Sequence, residues 1–452
     1  MNTVLAHGCF DLLHLGHIRH LQEARKLGDR LVVSITDDEH VNKGIGRPHF
    51  GSAQRAEALL ALACVDEVLV NAAPDAVAAI QRIKPAVYVK GIDYAAKETD
   101  AGLLRERAAV EAVGGRLVFT ESEKFSSSRL INSEKFSPEV LQYLEQCRAK
   151  GFRDQIFKAF DLADELRIAF VGERIIDEYQ FVSALGKASK EPMLAVVERS
   201  NEEYEGGIMA AAKQAEWKRT EIVSANEFIR KKRIVDVDFN RKLFDIYSAQ
   251  KIELNEFARK HFKAELKEAI NHTDVLLVFD FGHGLLDKED RALISERNSL
   301  FTAINAQTNA GNYGFNKITN YHAADFICLD VPEARLATGL AEDEISVVMD
   351  ALLASIRSDS LLVTHGRFGS HYFARGGARG SHSPALIVGG IDTMGAGDAT
   401  LATVAPLLAA GLSLEAAALV GNVAGAIKTS IVGHRRHVGR QELVQTIEAL
   451  LA

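Results

Sequence analysis

Two rhythms of apolar residues alternate along the chain. Short apolar runs suited to strands are followed by stretches whose apolar positions recur at helical spacing. Val4-Leu5-Ala6 reads as the end of a buried strand. Ile18, Leu21 and Leu27 then recur at helical spacing, with Ala24 between, and Gly28 stands where a helix C-cap belongs. Leu31-Val32-Val33-Ser34-Ile35 is a mostly apolar strand of the kind a parallel sheet buries. Residues 54–60 read as a helix, 65–70 as a strand, 75–83 as a helix after Pro74, and 87–90 as a strand. Residues 103–113 are helical and stop at Gly114-Gly115, and 117–119 form a last strand. This alternation predicts a doubly wound parallel sheet, a Rossmann-like domain over residues 1–133.

The pattern then changes. Ser137-Pro138-Glu139 marks a helix start, and Val140, Leu141, Leu144 and Cys147 follow at helical spacing. Residues 152–163 continue as a second amphipathic helix, so 134–165 are expected to be a helical link with no flexible tether. From 166 to 452 the pattern is again α/β, with a longer sheet. Strands are expected at 167–172, 273–281, within 326–333 and at 361–364, and a small-residue helix at 399–410.

Composition narrows the class. The chain has 452 residues, 47% of them hydrophobic and 25% charged, as in an ordinary globular protein of two or three domains. A net charge of −8 argues against a nucleic-acid partner, so anionic ligands must be held by local devices. No basic segment followed by an apolar core opens the chain, and no apolar run is long enough to span a membrane. Cys9, Cys64, Cys147 and Cys328 show no metal-ligand spacing and no disulfide framework. A reduced, cytoplasmic protein with neither membrane nor nucleic-acid contact is expected.

The first candidate chemistry lies in Gly8-Cys9-Phe10-Asp11-Leu12-Leu13-His14-Leu15-Gly16-His17, at the first strand-to-helix turn. A helix N-terminus there points free N–H groups and partial positive charge at an incoming ligand. His14 and His17 can meet one polyphosphate, and Gly16 lets backbone approach it. Lys43 and Arg47, in the polar stretch 36–48 after the second strand, are candidate phosphate contacts. Lys90-Gly91-x-Asp93-Tyr94 and Ser126-Ser127-Ser128 follow in order. The set resembles the cytidylyltransferase-like nucleotidylyltransferases. It is closest to the adenylyltransferase half of the bifunctional heptose-phosphate kinase/heptose-1-phosphate adenylyltransferases. The resemblance implies that His14 and His17 stabilise the α-phosphate as a substrate phosphate oxygen attacks it and pyrophosphate leaves. It places Phe10, Gly16, Lys43, Ser127, Ser128 and Arg129 on the nucleotide, and Asp11, Lys90 and Asp93 around the substrate phosphate. ATP and CTP both remain open as the nucleotide.

The second candidate is Asp392-Thr393-Met394-Gly395-Ala396-Gly397-Asp398, opening the small-residue helix. Gly395 and Gly397 permit an anion hole of backbone N–H groups, and Asp398 can take a proton from a substrate hydroxyl. This motif is similar to the signature of the ribokinase-like (PfkB) sugar kinases, over roughly 166–440. The resemblance implies Mg-ATP as phosphoryl donor and Asp398 as catalytic base. It places Asp177, Gly206 and Gly207 on the sugar, Glu333 on Mg²⁺, and Thr364, Gly366, Gly369, Gly395, Ala396 and Gly397 on the nucleotide.

Several positions depart from that family. Glu173 stands for the usual Asp, Ala210 for Asn, His283 for the common Lys, and Asp330-x-x-Glu333 for Asn-x-x-Glu. The acceptor pocket is therefore expected to be altered, and the domain order is the reverse of the heptose enzyme. The resemblance implies a bifunctional sugar-phosphate kinase and sugar-1-phosphate nucleotidylyltransferase that makes a nucleotide-activated sugar. The alternative is a nucleotidylyltransferase whose diverged kinase domain is regulatory or dimerising. A homodimer is expected, since enzymes of this build commonly close as dimers.

Overall fold

A computed structural model describes residues 2–41, 48–91, 101–120, 136–187, 190–239, 241–296, 300–312, 314–375, 381–386, 390 and 392–451. The chain divides into two compact units, Met1–Ser137 and Pro138–Ala452.

In the first unit the elements run β1 (Thr3–Gly8), α1 (Leu15–Arg25), β2 (Arg30–Thr36), α2 (Ser52–Leu60), β3 (Glu67–Asn71), α3 (Val77–Ile83), β4 (Val87–Gly91), α4 (Ala101–Ala112) and β5 (Arg116–Thr120). All five strands are parallel, in the order β3-β2-β1-β4-β5. The central strands are apolar throughout because both faces are covered. Val4 and Ala6 pack on one side with Leu21, Val33 and Leu59, while Leu5 faces the other side with Ile80, Tyr88 and Val110. The strand order reverses between β1 and β4, and ligands of open α/β sheets bind outside such a reversal, at the carboxyl ends of the strands. One boundary differs from the sequence expectation. Helix α1 closes at Arg25 with Lys26 as its cap, and the Arg25 guanidinium donates to the Gly28 carbonyl at 2.7 Å.

The helices expected to link the halves belong to the second unit. They are α5 (Pro138–Ala149) and α6 (Phe152–Ala163). Their apolar faces are buried, and Arg148 donates to the Leu450 carbonyl at 2.8 Å while Phe160 stacks on Trp217.

The strands of this unit are β6 (Ile168–Gly172), β7 (Arg174–Lys187), β8 (Leu194–Gly206), β9 (Thr220–Val223), β10 (Phe228–Asp236), β11 (Arg241–Tyr247), β12 (Val275–Asp280), β13 (Phe301–Ala306), β14 (Ala323–Asp330), β15 (Arg357–Thr364), β16 (Ser370–Ala374) and β17 (Ser381–Ser383). Eight of them form one sheet, β17-β16-β15-β14-β13-β12-β6-β9, parallel except at β16 and β17. The helices are α7 (Gly207–Ala212), α8 (Glu256–His272), α9 (Lys288–Ile294), α10 (Val331–Thr338), α11 (Ile345–Ser355), α12 (Ala396–Ala409), α13 (Leu414–Thr429) and α14 (Arg440–Leu451). Helix α12 starts three residues before the expected 399, which places Asp398 in its first turn.

A second sheet, β11-β10-β7-β8, was not foreshadowed by the apolar pattern. Its buried side mixes charges with apolar residues: Asp177 lies between Ile175 and Tyr179 on β7, and Lys231 and Arg233 between Ile229 and Val235 on β10, all buried. With charges on the covered face, the usual period-two alternation of apolar and polar residues is faint.

Two candidate phosphate-transfer sites

In the first unit the chain leaves β1 through a tight corner. Phe10 takes a left-handed conformation (φ +48°) and is buried, a strained arrangement of the kind that persists at functional turns. Its ring meets the His17 ring edge-on at 5.2 Å. His14 stands at the N-cap of α1 in an extended conformation, and its Nδ1 accepts from the Gly16 N–H at 3.1 Å. That bond leaves the proton of the neutral ring on Nε2, as a donor. The His14 and His17 rings lie 3.8 Å apart, tilted by 31°. The expected pair is thus assembled at the helix N-terminus, beside the reversal of strand order.

Asp11 and Lys90 are also where the sheet edge would need them, but both are engaged. The Asp11 carboxylate accepts from the backbone N–H groups of His49 and Phe50, bracing the approach to α2. The Lys90 ammonium pairs with Glu106 at 2.9 Å, with both side chains nearly buried. Two further histidines, His7 on β1 and His20 on α1, are pushed down to about 3 and about 4, by burial first and by Lys90 second. Lys43, Arg47, Asp93, Tyr94, Ser126, Ser127, Ser128 and Arg129 lie outside the described residues.

One residue at this edge escaped the sequence reading. Arg55 is fully buried, and its guanidinium donates to the carbonyls of Cys9 (2.6 Å), Thr36 (2.8 Å) and Phe50 (2.9 Å) and pairs with Asp38 at 2.6 Å. It ties together the chain just beyond β1, the end of β2 and the start of α2. In sequence it reads as one more helix-surface cation, and no local signal marks it. Its loss leaves three carbonyls and a carboxylate without their donor, so Arg55→Ala is expected to cost about 3–5 kcal/mol of first-unit stability, read in chemical denaturation.

The second unit builds a different turn. Gly395 caps α12 with φ +72°, a conformation that disfavours any side chain. Asp398 follows in the first helical turn, and Gln307 Nε2 donates to its Oδ1 at 2.9 Å. Burial pushes the Asp398 carboxyl up to about 6, against the opposing pull of His434, Lys231 and Lys428. Asp392 braces the loop. It accepts from Lys242 at 2.8 Å, from the Gly433 N–H at 2.9 Å and from the Met394 N–H at 3.1 Å.

Asp177, Gly206 and Gly207 come together as expected. A Cβ on Gly206 would stand 2.0 Å from Asp177 Oδ2, so only glycine fits against this carboxylate. Asp177 pairs with Arg233 at 2.5 Å and with His434 at 3.2 Å. Burial alone would raise its carboxyl, but His434 and Arg233 hold it below the ordinary range. Gly206→Ala is expected to displace Asp177 and raise the acceptor KM at least about tenfold with ATP affinity unchanged, as steady-state kinetics in both substrates would show.

Lys231 also faces this site. It is buried, its ammonium lies 5.3 Å from the centre of the Tyr247 ring, and burial holds it below the usual lysine value. Lys231, Arg233 and His434 are functional candidates that sequence reasoning missed. The run of four cations Arg230-Lys231-Lys232-Arg233 was the available signal, since on a strand alternate residues share one face and such a run puts two cations on the covered side. A cavity of about 260 Å³ adjoins His434 and is also lined by Tyr204, Lys213, Arg435 and His437.

The departures from the family pattern take on physical meaning. The Glu173 carboxylate is completely buried and accepts from the backbone N–H groups of Phe281 (3.0 Å) and His283 (2.9 Å). It braces that loop. Burial, with Asp280 beside it, pushes its carboxyl up to about 7. His283 is fully buried, with Nδ1 at 3.0 Å from the Gln250 carbonyl. Ala210 is buried in α7.

Glu333 and Asp330 form a reciprocal cap on α10, each carboxylate accepting from the other's backbone N–H at 3.0 and 2.7 Å. Burial and the neighbouring Asp330 push the Glu333 carboxyl well up. Among the described residues no three His, Cys, Asp or Glu side chains gather to hold a metal by themselves. Two adjacent carboxylates with uncompensated charge nevertheless suit Mg²⁺, which keeps waters and takes its other ligands from substrate phosphates. Thr364 ends β15, and Gly366 (φ +53°) and Gly369 (φ +89°) turn the chain into β16.

Each of the two α/β units places candidate side chains at the start of a helix at a sheet edge: His14 and His17 on α1, Asp398 on α12. The family comparisons also divide the chain in two. Residues 5–133 match the cytidylyltransferase-like family and residues 315–437 the pfkB family of carbohydrate kinases. The chain therefore joins a cytidylyltransferase-like domain to a pfkB-type carbohydrate kinase domain. Curated relatives of its N-terminal part carry the name Bifunctional protein HldE. The one from Geotalea uraniireducens is 42% identical over 116 residues, which is 25% of this chain and 23% of that protein. The one from Streptomyces coelicolor is 49% identical over 107 residues, 23% of each. The matched region is thus about a quarter of these relatives' length. Phosphofructokinase-2 from Escherichia coli, solved with substrates and products, shares the fold at TM-score 0.50 and 15% identity, covering 63% of this chain and 99% of its own. No helix among the described residues is long and apolar enough to cross a membrane.

Proposed function

We propose that the chain is a bifunctional sugar-phosphate kinase and sugar-1-phosphate nucleotidylyltransferase that forms a nucleotide-activated sugar of the ADP-heptose type. The observation that carries this reading is that one chain holds both candidate turns assembled: the adjacent His14 and His17 rings, and Asp398 following Gly395–Gly397. The relatives' shared name, which calls them bifunctional, supports it.

In the kinase unit the acceptor hydroxyl lies between Asp177 and Asp398. Asp398 takes its proton as the oxygen attacks the γ-phosphorus of ATP, the bond to the β-phosphate bridging oxygen breaks, and ADP leaves. The N–H groups at the start of α12 receive the negative charge of the transferring group. Asp330 and Glu333 would hold Mg²⁺, which neutralises phosphate charge when bound.

In the first unit a phosphate oxygen of the sugar 1-phosphate attacks the α-phosphorus of the nucleoside triphosphate, and pyrophosphate leaves. His14 Nε2–H and His17, with the N-terminus of α1, stabilise the charge on the α-phosphate oxygens. Catalysis of this kind rests on positioning and electrostatics, which rigid rings on a helix start supply.

The test is a mass-spectrometric screen. Purified protein, Mg²⁺ and ATP or CTP are mixed with heptose 7-phosphate, heptose 1,7-bisphosphate, heptose 1-phosphate and other sugar phosphates. A phosphorylated sugar together with a nucleotide sugar is expected, and the productive triphosphate identifies the nucleotide. A nucleotide sugar from supplied 1-phosphates alone, with no kinase product from any acceptor, would reduce the reading to nucleotidyl transfer.

A further inference from the structure

Lys428 is completely buried near the C-terminal end of α13, and the kinase chemistry above gives it no task. Its ammonium donates to the Gly433 carbonyl at 2.5 Å, and among the described residues it makes no ion pair. Removing an ammonium from water without a carboxylate partner is costly. A helix C-terminus offsets part of that cost but does not require the charge.

The surroundings say where the charge acts. A Cβ built on Gly395 would stand 3.3 Å from Lys428 Cε and 3.8 Å from its Nζ, so the ammonium lies directly against the glycine that caps α12. The Gly433 peptide is gripped from both sides: its N–H donates to Asp392 and its carbonyl accepts from Lys428. The next residue, His434, thereby reaches Asp177 at 3.2 Å, and its ring also lies against Gly395. Asp392 and Asp398 both act on the Lys428 charge through space.

We infer that Lys428 is a positioning residue of the kinase site, a built-in cation beneath the Gly395–Gly397 anion hole. It fixes the Gly433–His434 turn and adds positive field where the transferred phosphoryl group gathers charge. Asp392 is already held by Lys242 and two backbone N–H groups and Asp398 is the base, so the missing counter-ion of Lys428 is the phosphoryl group itself. This inference rests on the kinase reading of the same site.

The test compares wild type with Lys428→Met, close in length and neutral, and Lys428→Arg, which keeps the charge. Expected is a fall in kinase kcat of about 100-fold in the Met variant, with acceptor KM changed less than about threefold and substantial recovery in the Arg variant. Pyrophosphate release by the first unit, measured on the same samples, should not move. Calorimetric titrations with MgATP and MgADP supply a second readout. The ratio of their dissociation constants reports the γ-phosphate, and the first unit is common to all samples, so a change in that ratio belongs to the second. The Met variant should lose most of its preference for MgATP. Wild-type kcat and an unchanged ATP-to-ADP ratio in a folded Met variant would overturn the proposal. Equal kcat losses in the Met and Arg variants, with that ratio intact, would also overturn it by showing a packing role alone. If the Met variant fails to fold, an Arg variant as impaired in kcat as Asp398→Asn overturns it, and one near wild type upholds it. Absence of kinase turnover in wild type would count against the kinase reading, and the nucleotide titrations would still decide the role of Lys428.

Discussion

Asp398→Asn is expected to lower kinase turnover by about 10³-fold while leaving pyrophosphate release by the first unit at the wild-type rate. Asparagine keeps the shape of the side chain and can hold Gln307, but it cannot accept the acceptor proton. The geometry predicts a second signature. Because burial pushes this carboxyl up to about 6, the ionised base is lost as pH falls through that value. Wild-type kcat should therefore drop on the acid side near pH 6, and the residual rate of the variant should lack that limb. The substitution also removes a carboxylate whose ionised form burial disfavours, so the second unit should melt no lower than wild type. A parallel loss of stability would instead mean that Asp398 serves the fold. Stopped assays for ADP and for pyrophosphate, with a calorimetric melt, separate these outcomes.

His17→Ala is the complementary case. It is expected to reduce pyrophosphate release by about 10²–10³-fold and to leave kinase turnover intact. The His17 ring lies against both His14 and Phe10, so the change removes a donor and loosens its neighbours. His17→Asn retains a short polar group and should recover only a small part of the rate, because the ring that packs on His14 and Phe10 is lost. If His17→Ala silenced both activities in a folded protein, two independent sites could not be the right description.

Much of this arrangement was legible in the residues. The first sheet was readable because its central strands are buried on both faces, so Val4–Ala6 and Leu31–Ile35 stand out as apolar runs. The two reactive turns were readable because glycines and charged side chains interrupt those rhythms at fixed spacing. The second unit's smaller sheet was not, because Asp177, Lys231 and Arg233 interrupt the apolar residues of its covered face. Arg55 was hidden for a related reason: its partners Cys9 and Thr36 are far from it in sequence. The bracing role of Glu173 was hidden because the backbone that binds it arrives more than a hundred residues later, at Phe281 and His283. Lys428 gave no sign at all, since burial of a lysine is a property of the packed unit and not of its neighbours in the chain.

The most direct test of the central claim is complementation between the two variants. Asp398→Asn and His17→Ala proteins are incubated separately and then mixed, with Mg²⁺, triphosphate and an acceptor from the screen that lacks the 1-phosphate. Each alone should form nucleotide sugar at no more than about a hundredth of the wild-type rate by mass spectrometry, while the mixture should restore it, because the 1-phosphate made by one protein diffuses to the other. Nucleotide sugar at a near wild-type rate from either variant alone, or no gain on mixing folded proteins under conditions where wild type makes it, would contradict two sequential sites in one chain.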